Sequence, residues 1–461
     1  MAQSKLHIAM NPWFAFGHLN AFLHLSNLIA ARGHRISFLT PKKAQAKLED
    51  FNNHPDLIKF IPLTVPHVEG LPVGAETTND VPDHQGSLIM TAMDKTRPEV
   101  EAILKDLKPD VVFFDFTYWL PEVTKQLGIK SLQYCITSAS TVAYILVRSS
   151  TKLDEGQQLT EDELMKPPAD FPPSSTITLH RHEARALSFT THRTYGEGIS
   201  FHERIVYALR DADGYGFRSC REIEGTYCDY IENHFKKPSI LFGPTIPQLP
   251  TTPLDENKAK WLGQFKPGSV VFCAFGSECV MEKNNFQELL LGIELTGLPF
   301  FIGLKPPSGT ETIDEALPEG FKERVQGRGI VEGGWIQQLQ IMAHPSVGCF
   351  ISHGGLSSVT EALVNNTQLV IIPQRGDQYI IARLMSGDMK VAVEVEMREE
   401  DGWYSKENVC TTVKSVMDEG NETGKQIRAN KLKLKEFLLD ENLESTYLDS
   451  ALDRLKETLL K

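Results

Sequence analysis

His353, Gly354, Gly355, Leu356, Ser357, Ser358 and Glu361 stand close together in a stretch that changes character midway. Before them, GCFI (348–351) is an apolar run of strand type, and after them Val359-Thr360-Glu361-Ala362-Leu363 continues as a helix. A strand, a glycine turn and a helix start make a seat for an anion. The glycines admit close backbone approach and unusual dihedrals. The first N–H groups of the helix have no partner within it, and the positive end of its dipole faces whatever lies in front. Phosphate is the natural occupant. Ser357 and Ser358 add hydroxyl donors, and Glu361 is placed to accept two hydrogen bonds from a ribose diol. The plainer reading is a capped helix behind a glycine turn. The stretch is neither a P-loop, since the lysine of GxxxxGK[ST] is missing, nor the GxGxxG dinucleotide fingerprint.

The flanks carry further candidates. Trp335 lies in the Gly-rich segment GGWIQQLQ (333–340), where it either plugs a core or stacks on a nucleobase. Downstream, Asp377 and Gln378 follow the strand-like LVIIP (369–373). A carboxylate beside an amide can clamp vicinal sugar hydroxyls, with ordinary turn chemistry as the alternative.

The first half offers an imidazole and a carboxylate. His18 follows the apolar run LHIAM (6–10) at the opening of a helix whose apolar face includes Phe22, Leu25 and Leu28. Asp115 ends another apolar run, VVFF (111–114). A carboxylate there needs a partner, because an isolated buried charge is costly. If the two strands are neighbours, Asp115 can orient His18 and stabilise its charged form, which makes a general base. The bland reading is an incidental helix-start histidine.

Two groups invite a metal and are read otherwise. His180, His182 and His192 lack a Cys, Asp or Glu partner at zinc-like spacing on one element, so a polar loop is expected. Asp211 and Asp213 sit at the end of the helical pattern FHERIVYALRDADG and read as a polar helix terminus.

The elements that must position these residues alternate short apolar runs with helix-length segments. The strand candidates are 6–10, 34–39, 111–114 and 131–135, then 269–274, 299–304, 348–351, 369–373 and 391–395. Continuous apolar strands separated by helices predict parallel sheets covered on both faces. The series occurs twice, on either side of GPTIPQLPTTPLD (243–255), a linker with four prolines. Two doubly wound α/β domains are expected, with ligands beyond the carboxyl ends of the strands. The expected boundaries are 1–242, the linker 243–255, 256–437, and a C-terminal helix at 438–461.

Composition agrees. The chain has 461 residues, 41% hydrophobic and 23% charged, enough for two or three domains. Its net charge of −13, without a Lys/Arg cluster, argues against nucleic acid. No window holds about 18 uncharged apolar residues, so no membrane span is expected. The N-terminus lacks the apolar stretch and cleavage site of a signal peptide, and seven scattered cysteines read as reduced thiols. A cytoplasmic monomer is the expectation.

Residues 335–378 resemble the signature box of the plant family 1 UDP-dependent glycosyltransferases. The matching positions are Trp335, Gln338, His344, Gly348, Phe350, His353, Gly355, Ser358, Glu361, Pro373, Asp377 and Gln378. NPWFAFGHLNAF (11–22) resembles the family's catalytic-histidine segment, DFTYW (115–119) its catalytic-aspartate segment, and FCAFGS (272–277) the loop entering the donor site. VPHVEGLPVGAET (65–77), REIEGTYCDYIE (221–232) and FQELLLGIELTGLPFF (286–301) are similar to the branch that adds a second sugar, at the 2''-O position, to 3-O-glycosides of flavonoids and anthocyanins.

The resemblance implies the GT-B fold, two Rossmann-like domains facing a cleft, with acceptor on the first and UDP-sugar on the second. The C-terminal helix is implied to return to the first domain. It implies that His18 deprotonates the acceptor with Asp115 in support, and that the sugar is transferred with inversion. Trp335 would stack on uracil, Glu361 hold the ribose, and His353 and Ser358 hold the phosphates. Ser277, Asp377 and Gln378 would face the sugar, and Ile336, Gln338, Gly355, Leu356 and Ser357 would complete the donor site. No cofactor and no metal are implied, because a helix N-terminus and His353 can take up the leaving-group charge.

The chain departs from the box at four positions, with Gln337, Gly354, Leu356 and Ser357 where Pro, Cys, Trp and Asn are usual. Glucose is the first-choice sugar, with xylose and rhamnose as alternatives, and another small molecule such as a terpenoid glycoside is the alternative acceptor. A non-catalytic nucleotide-sugar binding protein and a nucleotide-sugar epimerase are the competing readings.

Overall fold

The computed structural model describes residues 5–461 except 155, 156, 158, 277 and 278. It contains two compact units. One comprises the residues up to Leu159, Ser188–Gly243 and Glu444–Lys461; the other comprises Thr160–Leu187 and Pro244–Leu443.

The first unit is built on β1 (His7–Asn11), β2 (Arg35–Pro41), β3 (Ile58–Leu63), β4 (Val111–Phe114), β5 (Lys130–Cys135), β6 (Gly214–Phe217) and β7 (Ser239–Leu241). All pairings are parallel, in the order β3-β2-β1-β4-β5-β6-β7. The apolar runs are continuous because both faces are covered. Ile8 and Met10 of β1 join one buried cluster, with Leu23, Phe113 and Leu452, while Ala9 joins another on the opposite face, with Phe114, Met90 and Val123. The order reverses between β1 and β4, where Asn11 lies beside Phe114. The sheet therefore delivers the segments carrying His18 and Asp115 to one place.

The second unit repeats the plan with β8 (Val270–Ala274), β9 (Phe300–Gly303), β10 (Gly329–Glu332), β11 (Val347–Ser352), β12 (Gln368–Ile371) and β13 (Ala392–Glu394). The order is β10-β9-β8-β11-β12-β13, again parallel throughout. Its reversal falls between β8 and β11, with Ala274 level with Ser352. Ligands of doubly wound sheets bind at such points.

Thr160–Leu187 departs from the expected single domain over 1–242. This segment belongs to the second unit, for a reason that is not local. Leu164, Ile177, Leu179 and Ala184 are buried. Thr176 donates its N–H and hydroxyl to Asp388, at 2.6 and 2.8 Å, and Arg383 donates to Glu183 at 2.9 and 3.1 Å. Glu183 is 1% exposed, and a carboxylate so buried requires its cation. Two of the three histidines also differ from the expected loop: His182 and His192 lie on a helix, Arg181–His192, while His180 precedes it. Among the described residues no group of three or more His, Cys, Asp or Glu could hold a metal ion.

The chain's last helices are Glu422–Leu438 and Leu443–Thr458. The break between them lies slightly beyond the expected boundary. Leu448, Ala451, Leu452 and Leu455 of the final helix, and Leu459 just past its end, enter the first unit's core beside Leu6, Ile8 and Phe242. Tyr447 Oη donates to Glu222 at 2.6 Å, and Arg454 donates to Glu232 at 2.7 and 2.8 Å. The segment 242–255 has no helix or strand. Gln337, in the family's proline position, holds its end: Oε1 accepts from the Asp255 N–H at 2.8 Å and Nε2 donates to the Pro253 carbonyl at 2.9 Å. Among the described residues no helix is long and apolar enough to cross a membrane, and the seven cysteines are free thiols.

Candidate functional site

In the first unit the base candidate is assembled as the β1–β4 pairing requires. His18 lies in the first turn of helix Phe16–Ala31, which buries Leu19, Phe22, Leu23 and Leu25 against the sheet. Its Nδ1 is 2.5 Å from Asp115 Oδ2. Asp115 Oδ1 accepts the backbone N–H groups of Trp13 and Phe116, at 2.8 and 2.7 Å. The backbone carbonyl of Asp115 in turn accepts Gln133 Nε2 at 3.0 Å. An acceptor saturated by N–H donors assigns the proton of the His18–Asp115 bond to Nδ1, which leaves Nε2 with its lone pair. Side-chain exposure is 16% for His18 and 4% for Asp115, so the imidazole is reachable and its partner is not.

In the second unit the turn after β11 has the expected form. Gly354 has φ +87°, and a Cβ there would meet Ile371 Cγ2 at 3.0 Å. A Cβ on Gly355 would stand 2.7 Å from His353 Nε2. Helix Leu356–Val364 starts directly from Gly355 with no side-chain cap, which leaves its first N–H groups for another acceptor. Ser357 is exposed, whereas Ser358 is buried. Gln338 Nε2 donates to Ser358 Oγ at 3.2 Å and to Glu361 Oε2 at 2.5 Å, so these three residues form one group. Burial pushes the Glu361 carboxyl up, and the Gln338 bond opposes that.

His353 sits between the two loops of the switch point. A Cβ on Gly276, in the loop after β8, would lie 3.3 Å from its Cε1. Its Nδ1 is buried with no partner among the described residues. Burial, and then the Arg375 guanidinium, lowers its pKa from 6.5 to about 4. At neutral pH it is therefore a neutral hydrogen-bonding group rather than a cation. The unfolded chain protonates this imidazole near 6.5 while the native chain resists until about 4. Acidification between those values thus favours unfolding, by up to about 3 kcal/mol. His353→Asn is expected to remove that part of the slope, checked by denaturation of both proteins at pH 4.5 and 7. Equal slopes would reject a neutral native His353.

Trp335 is 84% exposed and plugs no core. Ile336 packs its side chain on β9, since a Cβ on Gly303 would lie 2.4 Å from its Cδ1. Asp377 precedes helix Gln378–Arg383. Gln378 is buried, and its Oε1 accepts the N–H groups of Gln374 and Arg375, both at 3.1 Å. Turn chemistry therefore uses its side-chain carbonyl. Ser277 lies outside the described residues. Gln133, which fixes the Asp115 backbone, was not foreseen: it is an ordinary strand residue, and its role depends on a contact 18 residues away.

Two doubly wound sheets, one bearing an imidazole–carboxylate pair at its switch point and the other a glycine turn that leads into an uncapped helix, define the GT-B class. Solved structures agree: a UDP-glucosyltransferase from Polygonum tinctorium superposes with a TM-score of 0.77 at 21% identity, covering 99% of each chain. The family described as "UDP-glucoronosyl and UDP-glucosyl transferase" matches residues 325–444, and "Glycosyltransferase, N-terminal domain" matches 4–247. A cyanidin 3-O-galactoside 2''-O-xylosyltransferase from Actinidia chinensis var. chinensis is 54% identical over 100% of both chains. An anthocyanidin 3-O-glucoside 2''-O-glucosyltransferase from Ipomoea purpurea is 53% identical over 98% of each. The chain belongs to the UDP-dependent glycosyltransferases and is an enzyme of that family, similar to its anthocyanin 3-O-glycoside 2''-O-glycosyltransferases.

Proposed function

We propose that this enzyme transfers glucose from UDP-glucose to a sugar hydroxyl of an anthocyanin or related flavonoid 3-O-glycoside, extending the sugar chain at the 2''-O position. The observation that carries the chemistry is the His18–Asp115 contact of 2.5 Å, which leaves His18 Nε2 as a base. The acceptor class rests on the Actinidia and Ipomoea relatives, whose names specify anthocyanin 3-O-glycosides.

His18 Nε2 removes the proton of the acceptor hydroxyl as its oxygen attacks the anomeric carbon from the face opposite the leaving group. The C–O bond to the diphosphate breaks, UDP departs with that electron pair, and the configuration inverts. Asp115 stabilises the imidazolium formed. Trp335 stacks on the uracil, and Glu361, oriented by Gln338, accepts from the ribose diol. The uncapped start of helix Leu356–Val364 and a hydrogen bond from His353 take up the diphosphate charge without a metal. Asp377 and the Gln378 amide bind the sugar hydroxyls.

The Actinidia relative, named for xylose, supports UDP-xylose as the second reading of the donor. Equal amounts of UDP-glucose, UDP-xylose and UDP-rhamnose offered with cyanidin 3-O-glucoside decide it. The expected product is the 2''-O-glucoside, with the other donors turned over at least about tenfold more slowly, the discrimination that about 1.4 kcal/mol supplies. Faster xylose transfer would reassign the donor. UDP binding without transfer from any donor would favour a non-catalytic role.

A further inference from the structure

Arg204 is 0% exposed, and its fork is almost fully used. Nη1 and Nη2 donate to Asp94 Oδ1 and Oδ2 at 2.9 and 2.6 Å. Nε donates to the Tyr195 carbonyl at 3.0 Å, and Nη1 also donates to the Phe116 carbonyl at 3.1 Å. The Tyr118 ring lies 4.9 Å from the guanidinium carbon. Asp94 Oδ2 accepts the Glu197 N–H as well, at 3.1 Å. For stability alone, well-packed apolar residues commonly serve as well as such a buried pair. What they cannot do is hold two backbone carbonyls in place.

Those carbonyls belong to Phe116, whose ring faces the base, and to Tyr195, whose ring joins the same aromatic cluster. The Phe116 centroid is 5.1 Å from the His18 ring and 5.6 Å from Phe201. Phe201 is 5.4 Å from Tyr195, and Trp13 closes the circuit at 6.0 Å from Tyr195 and 6.4 Å from Phe116. The loop carrying Tyr195 is pinched by the Thr194–Ser200 bridge and pressed onto the ion pair. A Cβ on Gly196, at φ +94°, would lie 2.0 Å from Arg204 Nη2 and 2.5 Å from Asp94 Oδ2.

We propose that Asp94 and Arg204 are positioning residues for the acceptor. They fix the Phe116 and Tyr195 rings, and with them the place where a flat polyphenol ring system lies, relative to His18. This rests on the acceptor class proposed above. Aromatic faces and edges order a flat ring, and an acceptor hydroxyl displaced by about 1 Å from its base loses up to about 100-fold in rate.

Arg204→Lys keeps a charge beside Asp94 but cannot fork to two oxygens and two carbonyls. Tyr195→Ala removes the ring and keeps the carbonyl, so it reads the same seat should Arg204→Lys fail to fold. Both are expected to raise the KM for cyanidin 3-O-glucoside by about tenfold or more, with the KM for UDP-glucose within about twofold. Leu455→Ala, on the buried face of the final helix, is the destabilised control and leaves both KM values unchanged. Binding of the aglycone cyanidin, followed by quenching of intrinsic fluorescence, reads the seat without turnover and weakens in both variants. If that binding weakens while the wild type glycosylates no anthocyanin, the acceptor reading falls and the positioning role stands. An unchanged acceptor KM and cyanidin affinity in the variants, or an equal change in Leu455→Ala, overturns the role.

Discussion

Replacing His18 by alanine lowers the rate of sugar transfer by about 1,000-fold, within the range general-base catalysis supplies. A sugar hydroxyl is a poor nucleophile until its proton has somewhere to go, and His18 Nε2 is the acceptor that the Asp115 contact leaves available. The loss falls on kcat. UDP affinity, measured by calorimetry, stays within about twofold, because the residues proposed to hold UDP lie in the other unit. Transfer that survived the substitution at near wild-type rate would remove His18 from the mechanism.

Glu361→Ala gives the second large effect, on the other substrate. It removes the proposed acceptor of two ribose hydrogen bonds and leaves Gln338, whose amide donates to it at 2.5 Å, with Ser358 alone. Hydrogen bonds to a charged group contribute about 1.5–3 kcal/mol each. Burial already penalises this carboxylate, as its raised pKa shows, and its removal relieves that cost. The balance is a rise of about 30- to 100-fold in the KM for UDP-sugar, since each 1.4 kcal/mol is about tenfold. The KM for the acceptor stays in place. A change under about threefold in steady-state kinetics would take the ribose contact away from Glu361.

The strands that carry the site were legible in the sequence. β1, β4, β8 and β11 are buried on both faces, so each reads as a mostly apolar run, and the site residues lie in the segments that follow. β6 was not legible, because its packing removes the signal. A Cβ on Gly216 would stand 2.8 Å from both Leu132 and Phe242, and a strand forced to glycine there carries half the usual apolar content. His18 and Asp115 were readable one at a time, Asp115 directly after a strand and His18 at the start of the helix that follows one. Their contact depended on which strands pair, and nothing local records that. Arg204 and Asp94, 110 residues apart, carry no motif at all. Gln338 was legible only through resemblance, and its grip on Ser358 and Glu361 needed the fold.

The route of the chain constrains how this enzyme can be recombined with relatives. A chimera joined at the linker, meant to exchange the donor-binding half, would set Glu183 and Thr176 from one parent against Arg383 and Asp388 from the other. It would likewise place the foreign Tyr447 and Arg454 against the resident Glu222 and Glu232. The exchangeable cassette is therefore Thr160–Leu187 together with Pro244–Leu443, with Glu444–Lys461 kept from the acceptor parent. Junctions at those points transplant whole cores and leave both ion pairs within a single ancestry.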